Sequence, residues 1–197
     1  MSRRPFVFLA VAGQAVPTSG HRLSDPAAIS TALRESAYLR RTRYIAKDNR
    51  LLFDFTLRSA DLVAIKVIAP VNAPTWTLSP YLVWTLADGI AAGRAAPENI
   101  CAWQIVADLP ATLSAGKWLD GAVDIIRSAF KTSDAIIELA IHAPPGRTAH
   151  AHLLVTARRL SKDGFGAIDA ARLDLIAGPL KNKWLRWLRR YRATSAG

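Results

Sequence analysis

The 197-residue chain has a single cysteine, which excludes an internal disulfide framework and any thiolate metal cluster. Cys101 falls in an apolar stretch and reads as a core thiol, compatible with a cytoplasmic location. Acidic residues are also scarce: 15 Asp and Glu stand against 26 Lys and Arg, for a formal net charge of +11. That imbalance favours a polyanionic partner, with nucleic acid first among them. The bland alternative is a basic surface inherited from an arginine-rich composition. No apolar run reaches the roughly 20 residues of a transmembrane helix, so membrane insertion is not expected. Repeats and low-complexity segments are lacking too. A hydrophobic content of 51% and a mean hydropathy of +0.14 exclude a disordered chain. The length suits one domain over residues 1–197 with a core of its own. The start, MSRRPFVFLAVAGQAVP, has two arginines before an apolar run. It reads as a first strand over 6–12, with a secretory signal as the alternative.

Histidine is the next scarcity, with four in the chain, and its placing is informative. Three of the four, His142, His150 and His152, fall within AIIELAIHAPPGRTAHAHLLVTARRL, residues 135–160. Both flanks read as strands, and the proline–glycine loop between them suits a turn, so an antiparallel hairpin is predicted. Side chains alternate along a strand, which puts His150 and His152 on one face. The hairpin can return His142 beside them. Three neutral imidazoles on one face form a candidate metal site with open positions for a substrate oxygen. Structural histidines are the competing reading. Counting by twos, Glu138 shares the face of His142, where a carboxylate commonly orients a metal-bound imidazole. A salt-bridged strand glutamate is its alternative.

Upstream, Asp25-Pro26 reads as a helix start, and the helix is predicted to run to about residue 43. Ile29, Leu33 and Ala37 share a stripe, with Tyr38 beside it and Arg34, Arg40, Arg41 and Arg43 crowding the same region. Tyr38 is either an ordinary amphipathic tyrosine or a nucleophile. A phenol, with a reference pKa of about 10, needs a cation nearby to act near neutrality. Tyr44 is the rival. A polar turn is expected at 47–50, then two adjacent strands over 51–56 and 62–69. A helix over 80–92 with Trp84 inward, a strand over 100–109 and a helix over 115–130 follow. The last of these carries a core stripe of Trp118, Leu119, Ala122, Ile125, Ile126 and Phe130. After the hairpin, a helix over 167–176 is expected to break at Gly178-Pro179. A basic helix over about 179–192 combines Lys183 and Arg186 with Trp184, Trp187 and Tyr191. It can pack, grip phosphates and stack a base, or lie on a membrane surface.

The segment IHAPPGRTAHAHLLVTARRLSKDGFG resembles the MobA/MobL relaxases of mobilisable plasmids, which belong to the HUH endonucleases. The match lies in the I-H-A-P before the loop, the H-A-H after it, the T-A-R-R-L strand end and the D-G-F-G turn, which Lys162 and Asp163 help shape. FDFTLRSADLVAIKVIAPVNAPTWTLSPYLVW and VADLPATLS are similar to further family stretches in the same order. ESAYLRR is similar to the helix bearing the family's nucleophilic tyrosine. The resemblance covers roughly residues 30–187. It implies an α+β fold, with a central antiparallel sheet, helices mainly on one face and the histidines on the other. It implies that Tyr38 attacks single-stranded DNA at a plasmid transfer origin and becomes linked to the 5′ phosphate. His142, His150 and His152 would hold Mg²⁺ or Mn²⁺, with Glu138 behind them. Three imidazoles also accept zinc, nickel or cobalt. Arg34, Arg40, Arg41, Arg43, Arg158, Lys183 and Arg186 are the expected DNA contacts. Accessory mobilisation proteins and a secretion coupling protein are the implied partners. There are departures: Gln104 and Val106 stand in the strand where family members carry acids, and Arg34 and Glu35 replace small alanines near Tyr38. A catalytically degenerate DNA-binding relative, and an HUH protein of replication or transposition, are the alternatives.

Overall fold

The computed structural model describes residues 4–13, 31–46, 49 and 51–191. The expected loop over 14–24, the helix start at Asp25-Pro26, Ile29, most of the 47–50 turn and the segment after 191 lie outside them.

The first strand, β1 (Phe6–Ala12), is followed by α1 (Ala32–Arg40), β2 (Arg43–Ile45) and β3 (Leu51–Asp54). Then come β4 (Leu62–Ile68), α2 (Pro80–Ala91), β5 (Ile100–Asp108) and α3 (Ala115–Ala129). The chain continues through β6 (Ile137–His142), β7 (His150–Thr156), β8 (Arg158–Ser161) and β9 (Gly164–Ile168). It ends in α4 (Ala171–Leu175) and α5 (Lys181–Arg190). Five strands form one antiparallel sheet in the order β1-β5-β7-β6-β4. The β6–β7 pair is the predicted hairpin, and it occupies the centre of the sheet with β7 in the middle. The fold is α+β.

Strand alternation divides the core. Ile137, Leu139, Ile141, Ala151, Leu153 and Val155 face one side, where they meet α3 and the α4–α5 run. Ala140 and Leu154 face the other side, under α1 and α2. Among the described residues, three helices thus pack away from the histidines, and two lie on the histidine face, which is not bare. Trp84 of α2 is fully buried there, as its inward placing predicted. Among the described residues, no helix is long and apolar enough to cross a membrane.

Three local expectations are corrected. The strands over 51–56 and 62–69 are not neighbours: β3 pairs β2, while β4 pairs β6. A 3₁₀ segment, Thr56–Asp61, turns the chain between them. The DGFG turn closes a separate β8–β9 hairpin, so residues 167–168 finish a strand instead of opening a helix. Gly164 adopts φ 154 at its tip, a conformation suited to glycine. The expected break at Gly178-Pro179 is a π turn, Ile176–Leu180, through which helix continues from α4 into α5. Proline has no N–H to donate, and a widened turn accommodates that loss without ending the helix.

The α5 helix is held to α3 by Trp187. A Cβ added at Gly121 would lie 2.6 Å from its Cζ2 and 2.9 Å from its Cε2. Trp187 itself sits edge-on against the buried Trp184, with centroids 5.4 Å apart. A rigid ring packed on both sides yields little. Gly121→Ala is therefore expected to cost about 1–3 kcal/mol of stability, read from urea unfolding, as overpacking typically does.

Candidate active site

The β6–β7 register sets His142 directly across from His150, with Ala140 across from His152. On the other side of β7, His152 faces Val106 of β5. Small or apolar neighbours on both flanks of His152, Ala140 and Val106, leave the three imidazoles to face each other. One ligand atom from each of His142, His150 and His152 lies within 4.8 Å of the others. All three side chains are buried. The structure brings together the three residues singled out in the sequence.

Backbone carbonyls fix two of the rings. His142 Nε2 donates to the Leu39 carbonyl at 2.8 Å, while Arg41 Nη2 approaches His142 Nδ1 at 3.0 Å. A carbonyl only accepts and a guanidinium only donates, so the proton belongs on Nε2 and the lone pair on Nδ1. His150 Nδ1 donates to the Thr148 carbonyl at 2.9 Å, which leaves Nε2 as the basic nitrogen. Such partners are what metal-ligating histidines commonly have behind them. The donor set fits a divalent ion: three imidazoles on one face, with the tautomer set by outside carbonyls at His142 and His150.

Burial pushes His142 down to about 4, with the nearby Arg41 charge adding and the Leu39 carbonyl opposing. The ring is neutral at physiological pH, the form a metal needs. Unfolded, a histidine titrates near 6.5. Between those values the unfolded chain binds the extra proton. Stability from this ring is therefore present above about pH 6.5 and is lost as pH falls towards 4. The expected loss in metal-free protein is on the order of 3 kcal/mol. Urea midpoints at pH 7 and pH 4.5 test it: a His142→Asn variant should show a visibly flatter profile than the parent.

Over this cluster lies α1. Asp88 of α2 accepts both the Ala32 and Leu33 N–H groups at 2.9 Å, clamping the helix start. The Thr31 hydroxyl caps the same turn by accepting from the Arg34 N–H at 3.1 Å. At the other end Arg41 takes the left-handed conformation, φ 51, and closes the helix. Held this way, Tyr38 sits edge-on to His142 and His152, with ring centroids 6.0 and 5.5 Å away. The Arg41 guanidinium carbon lies 4.1 Å from its ring centre and that of Arg58 5.9 Å.

The rival Tyr44 lies elsewhere. Its hydroxyl is 3.0 Å from Ser36 Oγ. Burial, with the negative charge of Glu138 adding, pushes its phenol up to about 12. Tyr38 is the tyrosine that the fold brings to the histidines.

Several expectations are revised. Glu138 does not orient an imidazole; its bonds come from Ser36 Oγ at 2.8 Å, Trp84 Nε1 at 2.6 Å and Arg40 Nη1 at 3.0 Å. It ties α1 and α2 to the sheet, and the Leu39 and Thr148 carbonyls hold the rings instead. Arg41 and Arg158, expected on DNA, are 5% and 2% exposed. Arg41 forms a two-pronged pair with Asp61, at 2.7 and 2.9 Å. Arg158 is committed to Glu98 and the Gly166 carbonyl. Arg40 is bound to Glu138, and Arg34 pairs with Glu35 at 2.9 Å. Arg43 and Arg186 are exposed, and Lys183 is half-buried.

Asp61 and Arg58 are residues that sequence reasoning missed. Burial pushes the Asp61 carboxyl up, but the bonds and charge of Arg41 outweigh it and the net direction is down. Gln104, the departure in β5, donates to Glu35 Oε2 at 2.7 Å. That strand therefore does face an acid, supplied by α1.

A family model described as the MobA/MobL family matches residues 30–184. Among solved structures, one from work on the molecular basis of vancomycin resistance transfer in Staphylococcus aureus superposes with a TM-score of 0.69. It covers 95% of this chain and 92% of that one at 19% sequence identity, a likeness of fold. No curated protein matches the chain.

Proposed function

This chain belongs to the MobA/MobL family, and from that premise we propose that it is a DNA relaxase of the HUH type. It nicks and rejoins one strand of single-stranded DNA at a plasmid transfer origin. The observation that carries this reading is Tyr38 packed against the three-histidine cluster, with Arg41 and Arg58 over its ring.

Tyr38 Oη would form a bond to the scissile phosphorus as the bond from phosphorus to the 3′ oxygen breaks. The phenol proton is given up, the 3′ hydroxyl leaves with one, and the 5′ phosphate remains on the tyrosine. Attack by a 3′ hydroxyl reverses the step and reseals the strand. A divalent ion, Mg²⁺ or Mn²⁺, held by His142, His150 and His152, would polarise the phosphate and offset the charge that develops there. Arg41 and Arg58 place positive charge over the Tyr38 ring. Asp61 keeps Arg41 in place.

Arg34, Arg40, Arg43 and Arg58 around the helix, and Lys183 and Arg186 on α5, are proposed as phosphate contacts. Residues 1–197 are read as one cytoplasmic nuclease unit, served by accessory mobilisation proteins and a coupling protein. The test is cleavage of labelled single strands tiled across candidate transfer origins, with Mg²⁺ or Mn²⁺. A metal-dependent, denaturation-resistant protein–DNA adduct is expected. Tight binding without cleavage of any origin, in either metal, would point instead to a DNA-binding relative without turnover.

A further inference from the structure

We propose that the apolar pocket at the rim of the sheet behind His150 holds one unpaired nucleobase of the strand being processed. The inference rests on the relaxase reading above.

The pocket has a volume of about 390 Å³, and Pro5, Leu109, Pro110, Leu185 and Leu188 make its apolar walls. That is within the roughly 300–1,000 Å³ of small-molecule sites, which combine apolar walls with a few polar groups. Asp108 and Thr148 supply polar groups on the sheet side, and Arg189 and Tyr191 stand on the helix side. A nucleobase has two apolar faces and a polar edge, and this lining offers both kinds of surface. A purely hydrocarbon occupant would leave the polar members without use.

Its place in the fold is the second argument. Thr148, which lines this rim, offers its carbonyl to His150 Nδ1. Asp108 is the register partner of His150, and the Leu109 N–H donates to the Ala149 carbonyl at 3.0 Å. The histidines leave the sheet towards α1 and the pocket opens towards α5. The two share one stretch of backbone. A strand with its phosphate at the histidines would reach the pocket by crossing this rim.

The rim is also built firmly. Trp184 Nε1 donates to the Asp108 carbonyl at 2.9 Å, and Trp118 Nε1 to the Pro110 carbonyl at 2.8 Å. The Thr112 hydroxyl donates to the Tyr191 carbonyl at 2.8 Å. Beyond Tyr191, a second groove of about 420 Å³ runs on along α5, lined by Lys183, Arg186, Trp187 and Arg190, with Asp124 of α3 the one acidic member. Positive charge interleaved with aromatics is how backbone and bases of a single strand are held together. That continuity favours a nucleic-acid occupant over a peptide.

Ala111 is exposed at the mouth, so Ala111→Trp fills the pocket from outside. Binding is read by fluorescence anisotropy at low salt with two probes of about 20 nucleotides: oligothymidylate, and an abasic phosphodiester strand of equal length. Unchanged thermal midpoint and metal isotherm verify the fold of the variant. The parent should bind oligothymidylate at least about tenfold more tightly, roughly what one stacked base contributes. Ala111→Trp should lose about that factor on oligothymidylate and nothing on the abasic strand. In the parent, photocrosslinking with 5-iodouracil strands should map to Tyr191 or the 109–112 segment. Unchanged oligothymidylate binding in the variant, or crosslinks only elsewhere, overturns the pocket while leaving the relaxase reading standing. Failure of the parent to bind either strand overturns both.

Discussion

Tyr38→Phe is expected to abolish the covalent protein–DNA adduct, a loss of at least about 10³-fold, while Tyr44→Phe keeps it. The two tyrosines differ in surroundings, not in type. Tyr38 stands against His142 and His152 with the Arg41 guanidinium carbon 4.1 Å from its ring centre. Tyr44 is bonded to Ser36, and burial with the Glu138 charge pushes its phenol up to about 12, the wrong direction for a nucleophile. The phenylalanine removes one oxygen and keeps the ring that packs edge-on against Phe55 at 5.5 Å. Stability should therefore change little, and lost adduct would report chemistry. The measurement is a labelled strand retained on the protein after denaturation, in parent and both variants. An adduct that survives Tyr38→Phe and vanishes in Tyr44→Phe would reverse the assignment.

The histidine cluster was legible because strand geometry alone dictates it. Period-two alternation fixes His150 and His152 to one face, and a hairpin of this loop length returns His142 opposite His150. Tyr38 was harder, because its role depends on where α1 lies over the sheet. That placing comes from Asp88, 55 and 56 residues away from the N–H groups it clamps. No local pattern announces such a contact. Asp61 and Arg58 were missed for the same reason, since they sit on a 3₁₀ turn that the sequence presented as a link between adjacent strands.

The misread cations have a common cause. Arg41 and Arg158 look like surface charge in a chain of net +11. Each is instead a buried fork with its own partners, Asp61 and the Tyr38 carbonyl for one, the exposed Glu98 and the Gly166 carbonyl for the other. Guanidinium suits that task because it presents planar, two-pronged donors. Glu138 was misread in mirror image. Its face was right, and its partners, Ser36, Trp84 and Arg40, all come from helices that no strand count places above it. Burial pushes this carboxyl up, and the three donors pull against that direction.

Removing the metal, or one ligand to it, is the second large effect expected. His150→Ala should lower Mn²⁺ affinity by more than about 100-fold, beyond the 10–100-fold of losing a group behind a ligand. Nicking should fall below detection in that variant and in the chelated parent, and should return to the parent when Mn²⁺ is restored. Asp61→Asn separates ligands from their supports. At His142 the Nδ1 lone pair receives Arg41 at 3.0 Å in this structure, and it is also the nitrogen left for an ion. Arg41 can yield that lone pair without becoming an unpaired buried charge because Asp61 holds it at 2.7 and 2.9 Å. With the carboxylate neutralised, Arg41 loses that hold and its positive charge lies beside the site uncompensated. Mn²⁺ affinity should then fall by roughly 10–100-fold, less than for His150→Ala, with Tyr38 still in place. Isothermal titration of the three proteins decides the order. If His150→Ala binds Mn²⁺ as the parent does, the three histidines are core residues and the metal reading of this cluster fails.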